Sequence, residues 1–381
     1  MFKLNDILTR RTPFYYYDRA LLRDTLDEVK RQTQGLPAVI HYALKANANP
    51  EILREIVAAG MGADLVSGGE IKAAIKAGFD PQMMAFAGVG KTDWEIRLAL
   101  QEGVGCFNIE SVPELEVINQ IAMEMDKTAP VTLRVNPDID PHTHQYITTG
   151  TAHNKFGIAL EDLPTLIERA KSMTHIHLRG LHFHIGSQIT RLQPYVMLCE
   201  KINELQQQFD SAGIKFEIIN VGGGLGIDYR NPDAHPMADF EQYFGIFEQH
   251  LKLSQGQQVH FELGRAIVAQ CGTLFSRVLY VKHNRDKSFV IIDAGMNDLV
   301  RPALYQAHHR VDNITSVSHE TDIYDVVGPV CESSDTFAHD CTLPITQRGD
   351  LIAIRSVGAY GESMASTYNL RPLPQALVST N

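Results

Sequence analysis

Short apolar, β-branched runs alternate with helix-like segments over the first two thirds of the chain. The runs predict eight strands, Val39–Lys45, Gly62–Ser67, Met83–Gly88, Gly105–Ile109, Val131–Asn136, Arg179–Ser187, Phe216–Gly224 and Val259–Gly264. Segments with helical spacing of apolar positions predict the helices Pro50–Gly60, Gly69–Gly78, Thr92–Gly103, Val112–Met125, Leu160–Ser172, Leu192–Gly213 and Ala238–Leu253. Such alternation indicates a parallel sheet, and eight similar units favour a closed (β/α)8 TIM barrel over an open doubly wound sheet.

The pattern changes after Gly264. The segments Thr273–His283, Ser288–Asp293, Asp322–Val327 and Asp350–Val357 predict strands without long helices between them. Phe14–Tyr17 is also strand-like, and we expect it to join that sheet. The predicted fold class is therefore α/β, with a barrel over residues 25–268 and a β-domain formed by residues 1–24 and 269–381.

Composition narrows the classes of function. The 381 residues carry a formal net charge of −11, which disfavours nucleic acid as a partner. No apolar run reaches the ~20 residues that cross a bilayer, so a membrane role is not expected, and the first residues do not resemble a signal peptide. The five cysteines are scattered and odd in number, which indicates no disulfide framework or zinc finger and fits a reducing cytoplasm.

Residues whose side chains could take part in a reaction fall at the predicted strand ends, where TIM barrels place their active sites. Lys45 ends the first strand, and burial at a barrel mouth would favour its neutral amine, although a surface lysine is the simpler interpretation. His182 and His184 on the sixth strand could bind a metal, stack on a flat cofactor, or lie in the core.

The last two strands of the barrel end in a glycine turn and a charged pair. Gly222 to Gly224 could bring backbone N–H groups to a phosphate, or form only a tight turn, and Ile227 breaks a dinucleotide fingerprint. Glu262 and Arg265 could be an ordinary salt bridge. Taken together, an amine, an imidazole, a glycine turn and a carboxylate on one rim are what a phosphorylated aldehyde cofactor requires.

At this point the chain resembles a known family. Its motifs YALKAN (42–47), DLVSGGE (64–70), NKFGI (154–158), HFHIGSQ (182–188), GGGLG (222–226), ELGR (262–265), DAGMNDLVRPALY (293–305), GPVCESSD (328–335) and GAYGESMASTYN (358–369) are similar to those of diaminopimelate decarboxylases. These are pyridoxal-phosphate enzymes with an alanine-racemase-like barrel. The likeness extends nearly from end to end, although the family usually has proline where this chain has Leu263 and this chain is short for the family.

The resemblance assigns roles to individual residues. Lys45 is implied to form the Schiff base with the cofactor and Cys331 to donate a proton. The implied cofactor-binding residues are Lys45, Asp64, His184, Ser187, Gly223, Gly224, Glu262, Gly264, Arg265 and Tyr368, with Glu262 at the pyridine nitrogen. The implied substrate-binding residues are Arg265, Arg301, Tyr305, Glu332 and Tyr368, and no metal is implied.

The resemblance implies decarboxylation of meso-2,6-diaminopimelate to L-lysine and CO2, the last step of lysine biosynthesis. It also implies a homodimer with shared active sites, because the Cys331 loop of this family enters the partner subunit's site. Two alternatives stay open, namely a polyamine-pathway decarboxylase of the same fold (acting on ornithine, arginine or carboxynorspermidine) and a non-catalytic cofactor-binding protein.

Overall fold

The structure is a computed structural model that describes residues 7–140 and 155–380. The chain divides into two compact units. The barrel unit comprises Leu26–Gly226 and Asp239–Gly264, and the sheet unit comprises Met1–Thr25, Ile227–Ala238 and Arg265–Asn381. This division differs from the predicted domain bounds chiefly at Ile227–Ala238, whose Asp233 forms ion pairs with Arg310 and Arg355 of the sheet unit.

The barrel unit contains a closed barrel of eight parallel strands, which confirms the predicted architecture. Its strands, numbered here from first to eighth, are Ala38–Ala43, Gly62–Leu65, Met84–Phe86, Cys106–Ile109, Ala129–Arg134, Ile176–His182, Ile218–Asn220 and Gln258–Leu263. The first strand pairs in parallel with the eighth from Ala38↔Val259 to Tyr42↔Leu263, which closes the sheet. The fourth and seventh strands are buried along their whole length, as expected for parallel strands covered by helices, and the sixth strand is buried over its last three residues.

Helices follow the strands and begin and end at residues suited to those positions. They are Pro50–Ala58, Gly68–Ala77, Asp93–Glu102, Val112–Glu124, Leu163–Ser172, Gln193–Ser211 and Phe240–His250. The side chain of Asn49 accepts a hydrogen bond from Glu51 N–H ahead of Pro50, and Gly78 ends its helix with a left-handed φ of 96°. A further helix, Arg19–Gln32, precedes the first barrel strand and was not predicted from the sequence.

The sheet unit is mostly antiparallel. Its strands are Phe14–Tyr17, Gly272–Asn284, Lys287–Ile292, Val311–Asn313, Thr321–Val327, Thr336–Pro344, Leu351–Arg355 and Gln375–Val378. Phe14–Tyr17 pairs with Gly272–Phe275 and with Gln375–Val378, so the prediction that it joins this sheet is confirmed. The sequence analysis missed Val311–Asn313, Thr336–Pro344 and Gln375–Val378, and the short helices Arg265–Val268 and Arg301–Tyr305. Within the described part of the chain, no helix is long and apolar enough to span a membrane.

Candidate active site

A buried carboxylate lies inside the barrel. Glu262, on the eighth strand, is 6 % exposed. Its Oε1 accepts hydrogen bonds from the side-chain amides of Asn108 (3.0 Å) and Asn220 (2.8 Å), and its Oε2 lies 3.0 Å from His182 Nε2. Burial alone would raise the pKa of Glu262, but the charge and hydrogen bond of His182, followed by the charge of Lys45, lower it well below its usual range.

The two amides can present only their NH2 groups to this carboxylate. The oxygen Oδ1 of Asn108 accepts from the Thr132 hydroxyl at 2.6 Å, and that of Asn220 accepts from Gly222 N–H at 2.9 Å. Since each oxygen is already engaged, each NH2 must turn to Glu262. The network therefore holds a negative charge at a fixed position in the barrel.

Lys45 lies just beyond the first strand. That strand ends at Ala43 rather than at Lys45 as predicted, and Lys45 lies in the 3-10 turn Leu44–Ala46. Its Nζ donates to Oδ2 of Asp64, whose side chain is 1 % exposed against 38 % for Lys45. Burial raises the pKa of Asp64, an effect that the charge of Lys45 opposes. The lysine thus combines a fixed position with partial access to solvent.

Gly264 makes room for this turn. A Cβ at Gly264 would lie only 3.0 Å from Cβ of Ala46 and 3.1 Å from Cβ of Ala43. The end of the eighth strand can therefore approach the Lys45 turn closely because residue 264 has no side chain.

His184 contacts the glycine turn. The sixth strand ends at His182, so the prediction that both histidines lie on one strand face is wrong, and His184 lies two residues beyond. Gly223 N–H donates to His184 Nδ1 at 3.2 Å. Desolvation, followed by the nearby charge of Arg134, lowers the pKa of His184 to about 3, so the imidazole is neutral near pH 7.

The glycine turn requires glycine because backbones pass very close together. A Cβ at Gly223 would lie 1.7 Å from the carbonyl oxygen of Glu262, and one at Gly224 would lie 2.2 Å from that of Gly186. Gly224 also has a φ of +97°, which disfavours a side chain. Ser187 lies in the same region, partly buried in the segment after the sixth strand.

The sheet unit holds two buried arginines around one tyrosine. Arg265 Nη1 donates to the Tyr229 hydroxyl at 2.7 Å, and the Arg301 guanidinium lies 4.9 Å from the centre of the same ring. Arg301 Nη1 also lies 2.8 Å from His309 Nε2. Burial alone would raise the pKa of Tyr229, but the charges of Arg265 and Arg301 together lower it. Tyr305 ends the short helix that Arg301 begins and is partly buried.

Cys331 and Glu332 are exposed in the sheet unit, unlike the buried Cys106, Cys199 and Cys271. The hydroxyl of Tyr368, itself 46 % exposed, donates to Glu332. The loop that carries Cys331 and Glu332 is held by Asp335, whose carboxylate accepts hydrogen bonds from Met296 N–H (2.6 Å) and Val330 N–H (2.7 Å).

Sequence reasoning missed several residues that shape these groups. Asn108 and Asn220 donate to Glu262, while Tyr229 and His309 contact the arginines. His182 was a candidate from the sequence, but its contact with Glu262 was not predicted. Asn108 and Asn220 carried a usable signal, since each is a polar residue in an otherwise apolar barrel strand. Tyr229 carried none, because it lies 36 residues before Arg265 in sequence. His309 lies eight residues after Arg301, but no periodic pattern links the two.

The groups of the barrel unit fit pyridoxal phosphate. The cofactor needs an amine for its aldehyde, an anion for its ring nitrogen and close backbone approach for its phosphate. Lys45, the charged Glu262 and the glycine turn offer these features, and the neutral His184 lies beside the turn. The metal-site interpretation of the two histidines gains no support, since His182 bonds Glu262 and the described ranges contain no cluster of three metal-ligating side chains.

Comparisons with known proteins agree with this set of groups. The family described as "Pyridoxal-dependent decarboxylase, pyridoxal binding domain" matches residues 20–269. The chain is 54 % identical to the diaminopimelate decarboxylase of Bacteroides thetaiotaomicron over 100 % of this chain and 98 % of that one. It is 42 % identical to the enzyme of the same name from Vibrio cholerae, over 95 % of this chain and 86 % of that one.

A solved structure is similar over nearly the whole length. Diaminopimelate decarboxylase from Helicobacter pylori, complexed with L-lysine, matches with a TM-score of 0.93 and 41 % identity, covering 99 % of this chain and 93 % of that one. The chain therefore belongs to the pyridoxal-dependent decarboxylases, within the family of diaminopimelate decarboxylases.

Proposed function

We propose that this protein uses pyridoxal phosphate to convert meso-2,6-diaminopimelate to L-lysine and CO2, the last step of lysine biosynthesis. The observation that carries the proposal is the Glu262 network, which keeps a buried carboxylate charged inside a barrel whose rim also holds Lys45. The names of the relatives and the L-lysine in the Helicobacter pylori structure support this choice of substrate.

The barrel residues bind and polarise the cofactor. When bound, pyridoxal phosphate supplies an electron-poor ring that accepts the electron pair of the breaking carbon–carbon bond. Lys45, whose Nζ donates to Asp64, would hold the aldehyde carbon of the cofactor. Glu262 keeps a proton on the ring nitrogen by its negative charge, and a charged carboxylate suits decarboxylation, because it strengthens that electron acceptor.

The remaining cofactor contacts fix its position. The neutral imidazole of His184 would pack against the ring, where it would add no positive charge. Ser187, Gly223, Gly224, Gly264 and Arg265 would bind the phosphate, and Tyr368 would contact both cofactor and substrate. These roles follow from the resemblance, and the close backbone packing of the glycines supports them.

Cys331 supplies the proton that replaces CO2 on the α-carbon. The carboxylate would leave as CO2, and the S–H bond of Cys331 would break as its proton forms the new C–H bond, which leaves a thiolate. The exposure of Cys331 supports this role, since the thiol is open to a substrate or a partner subunit.

The far end of the substrate carries a second amino-acid group, which the enzyme must recognise without breaking it. Arg301 and Tyr305 bind the distal carboxylate, with Arg265 nearby, and Glu332 binds the distal ammonium. The hydrogen bond from Tyr368 to Glu332 supports the last assignment, because it orients the carboxylate. L-Lysine lacks a distal carboxylate, which favours release of the product.

A homodimer with shared active sites, in the cytoplasm, completes the proposal. The loop with Cys331 and Glu332 presents polar and reactive side chains at the surface of the sheet unit, where Glu332 accepts a hydrogen bond from Tyr368. The family resemblance assigns this loop to the partner subunit's site. The thiol content fits a reducing compartment.

Assays of CO2 release test the proposed substrate. Protein loaded with pyridoxal phosphate is offered meso-diaminopimelate, ornithine, arginine and carboxynorspermidine under the same conditions. We expect release from meso-diaminopimelate at a kcat/KM at least about 100-fold above the other three, because only it satisfies both an arginine and a glutamate at the distal end. Faster release from one of the other amines favours a polyamine-pathway enzyme. No release from any of the four favours a non-catalytic cofactor-binding protein.

A further inference from the structure

Arg301 is buried without an acidic partner. Arg301 is only 4 % exposed, and its Nε donates to no described acceptor. In residues 7–140 and 155–380, no carboxylate forms an ion pair with it. A buried positive charge is costly unless an anion compensates it. Because no described carboxylate pairs with Arg301, its charge stays available, and uncharged groups must orient it.

His309 supplies one such contact. Its Nδ1 lies 2.9 Å from the backbone carbonyl oxygen of Arg355, which can only accept a hydrogen bond, so Nδ1 carries the proton. The other nitrogen, Nε2, is then a lone-pair acceptor for Arg301 Nη1 at 2.8 Å. Burial, followed by the charge of Arg301, holds the pKa of His309 well below its usual range, so the imidazole is uncharged.

The ring of Tyr229 supplies the second contact. The Arg301 guanidinium lies 4.9 Å from the ring centre, and the ring of His309 packs edge-on against Tyr229 with centroids 5.0 Å apart. A cation over an aromatic face is attracted to it and keeps its full charge. The Tyr229 hydroxyl accepts from Arg265, so the same residue orients both guanidinium groups.

We propose that His309, together with Tyr229, is a positioning residue that orients Arg301 by uncharged contacts and so leaves its charge available to a substrate carboxylate. The inference rests on the proposed function, since it takes the distal carboxylate of diaminopimelate as the anion. It predicts that the charge of residue 309 determines anion affinity, whereas a merely structural role would depend only on shape and hydrogen bonding.

Three substitutions at one position separate these roles. H309Q keeps a neutral acceptor for Arg301 and a donor for the Arg355 carbonyl. H309L removes both hydrogen bonds and adds no charge. H309E keeps an acceptor for Arg301 but places a negative charge against it.

The test measures binding of pimelate, which has the carbon chain and both carboxylates of the substrate but no amino groups. Titration calorimetry is done on protein loaded with pyridoxal phosphate, and thermal melting checks that each variant is folded. R301A marks the affinity that remains without the arginine. We expect H309Q to bind within about threefold of the parent, H309L to bind more weakly, and H309E to lose at least about tenfold, as much as R301A.

Two results overturn the inference. One is a pimelate affinity of H309E equal to that of the parent. The other is a loss of affinity in H309L as large as in H309E, because charge is then not the determining property. Assay of the parent for CO2 release from meso-diaminopimelate separates the two claims, because a parent without that activity contradicts the proposed function, and an active parent with unaltered H309E contradicts only the role of His309.

Discussion

Three ionisable residues, Glu262, Lys45 and Arg301, differ in the groups that compensate their charge. Glu262 accepts from two amides, contacts His182 and stays charged, and Lys45 donates to Asp64. Among the described residues, Arg301 is oriented by the uncharged His309 and Tyr229. Such differences decide which group can act as an anion for a ring nitrogen, which as an amine, and which as a receptor for a carboxylate.

Lys45 is predicted to carry the cofactor. Borohydride reduction of the holoprotein should bleach its visible absorbance and leave the cofactor's mass on the peptide that contains Lys45, because only a covalent bond to Nζ is fixed by reduction. Peptide mass spectrometry measures the site. K45A should lack the adduct, while K76A, on an outer helix, should keep it. An adduct on another lysine contradicts the assignment.

Cys331 is predicted to act after the cofactor is bound. C331A should lower kcat by a factor of about 100 or more, as expected for loss of a general acid, while the visible spectrum of the bound cofactor is retained. Steady-state kinetics and the spectrum are measured on the same sample. C341A, which removes a partly buried thiol elsewhere in the sheet unit, is the control. Equal kcat values for C331A and the parent would remove Cys331 from the mechanism.

Among the elements, the glycine turn after the seventh strand leaves no room for a side chain. G223A should lower the melting temperature and the cofactor affinity strongly, since its Cβ would lie 1.7 Å from a backbone oxygen that cannot move without displacing the eighth strand. G245A tests the opposite case in the helix Phe240–His250, where a Cβ meets nothing within 4 Å.

G245A should stabilise the protein by about 0.5–1 kcal/mol, because alanine is the better helix former and the site is open. Urea unfolding and cofactor titration of both variants provide the measurements. A G223A protein that melts and binds cofactor like the parent would mean that the turn adjusts easily.

The helices and strands were predicted from the sequence with unequal success. All eight barrel strands were predictable because parallel strands covered on both faces are short continuous apolar runs. Thr336–Pro344 was missed because its residues are mostly partly buried or exposed, so its polar pattern resembles a loop. The strand ends at Ala43 and His182 were displaced by two or more residues, since a turn or loop there retains the apolar pattern.

The candidate site was predictable only in part, for a related reason. Lys45, Glu262 and the glycines belong to local motifs, whereas the partners of a buried group come from distant segments. Asn108 comes to Glu262 from 154 residues away and Tyr229 comes to Arg265 from 36 residues away, by tertiary packing that no local pattern encodes.

At the scale of the whole molecule, buried neutral histidines make stability depend on pH. His260 in the barrel hydrogen-bonds His41 at 2.9 Å, and burial, followed by the neighbouring His41, lowers its pKa to about 2. Below the ordinary histidine pKa of about 6.5, His260 binds a proton in the unfolded chain but stays neutral in the folded protein. The free energy of unfolding should therefore fall as the pH drops from about 6.5 toward 2, by about 1.4 kcal/mol per pH unit for this group.

H260N should reduce that slope by about 1.4 kcal/mol per pH unit below about pH 5.5. Urea unfolding, followed through the single tryptophan, Trp94, in the barrel unit, measures it. H319N is the control, since the exposed His319 meets water in both the folded and the unfolded chain. An identical slope in H260N and the parent would show that His260 is protonated without unfolding.

The stereochemistry of the reaction tests the conversion of meso-diaminopimelate to L-lysine most directly. Meso-diaminopimelate has one D and one L centre, so L-lysine can arise only if the carboxylate of the D centre leaves. Substrate carrying carbon-13 in the D-centre carboxylate should give all of the label as CO2, matched one to one by unlabelled L-lysine. Label retained in lysine, formation of D-lysine, or no CO2 from protein with bound pyridoxal phosphate would contradict the account.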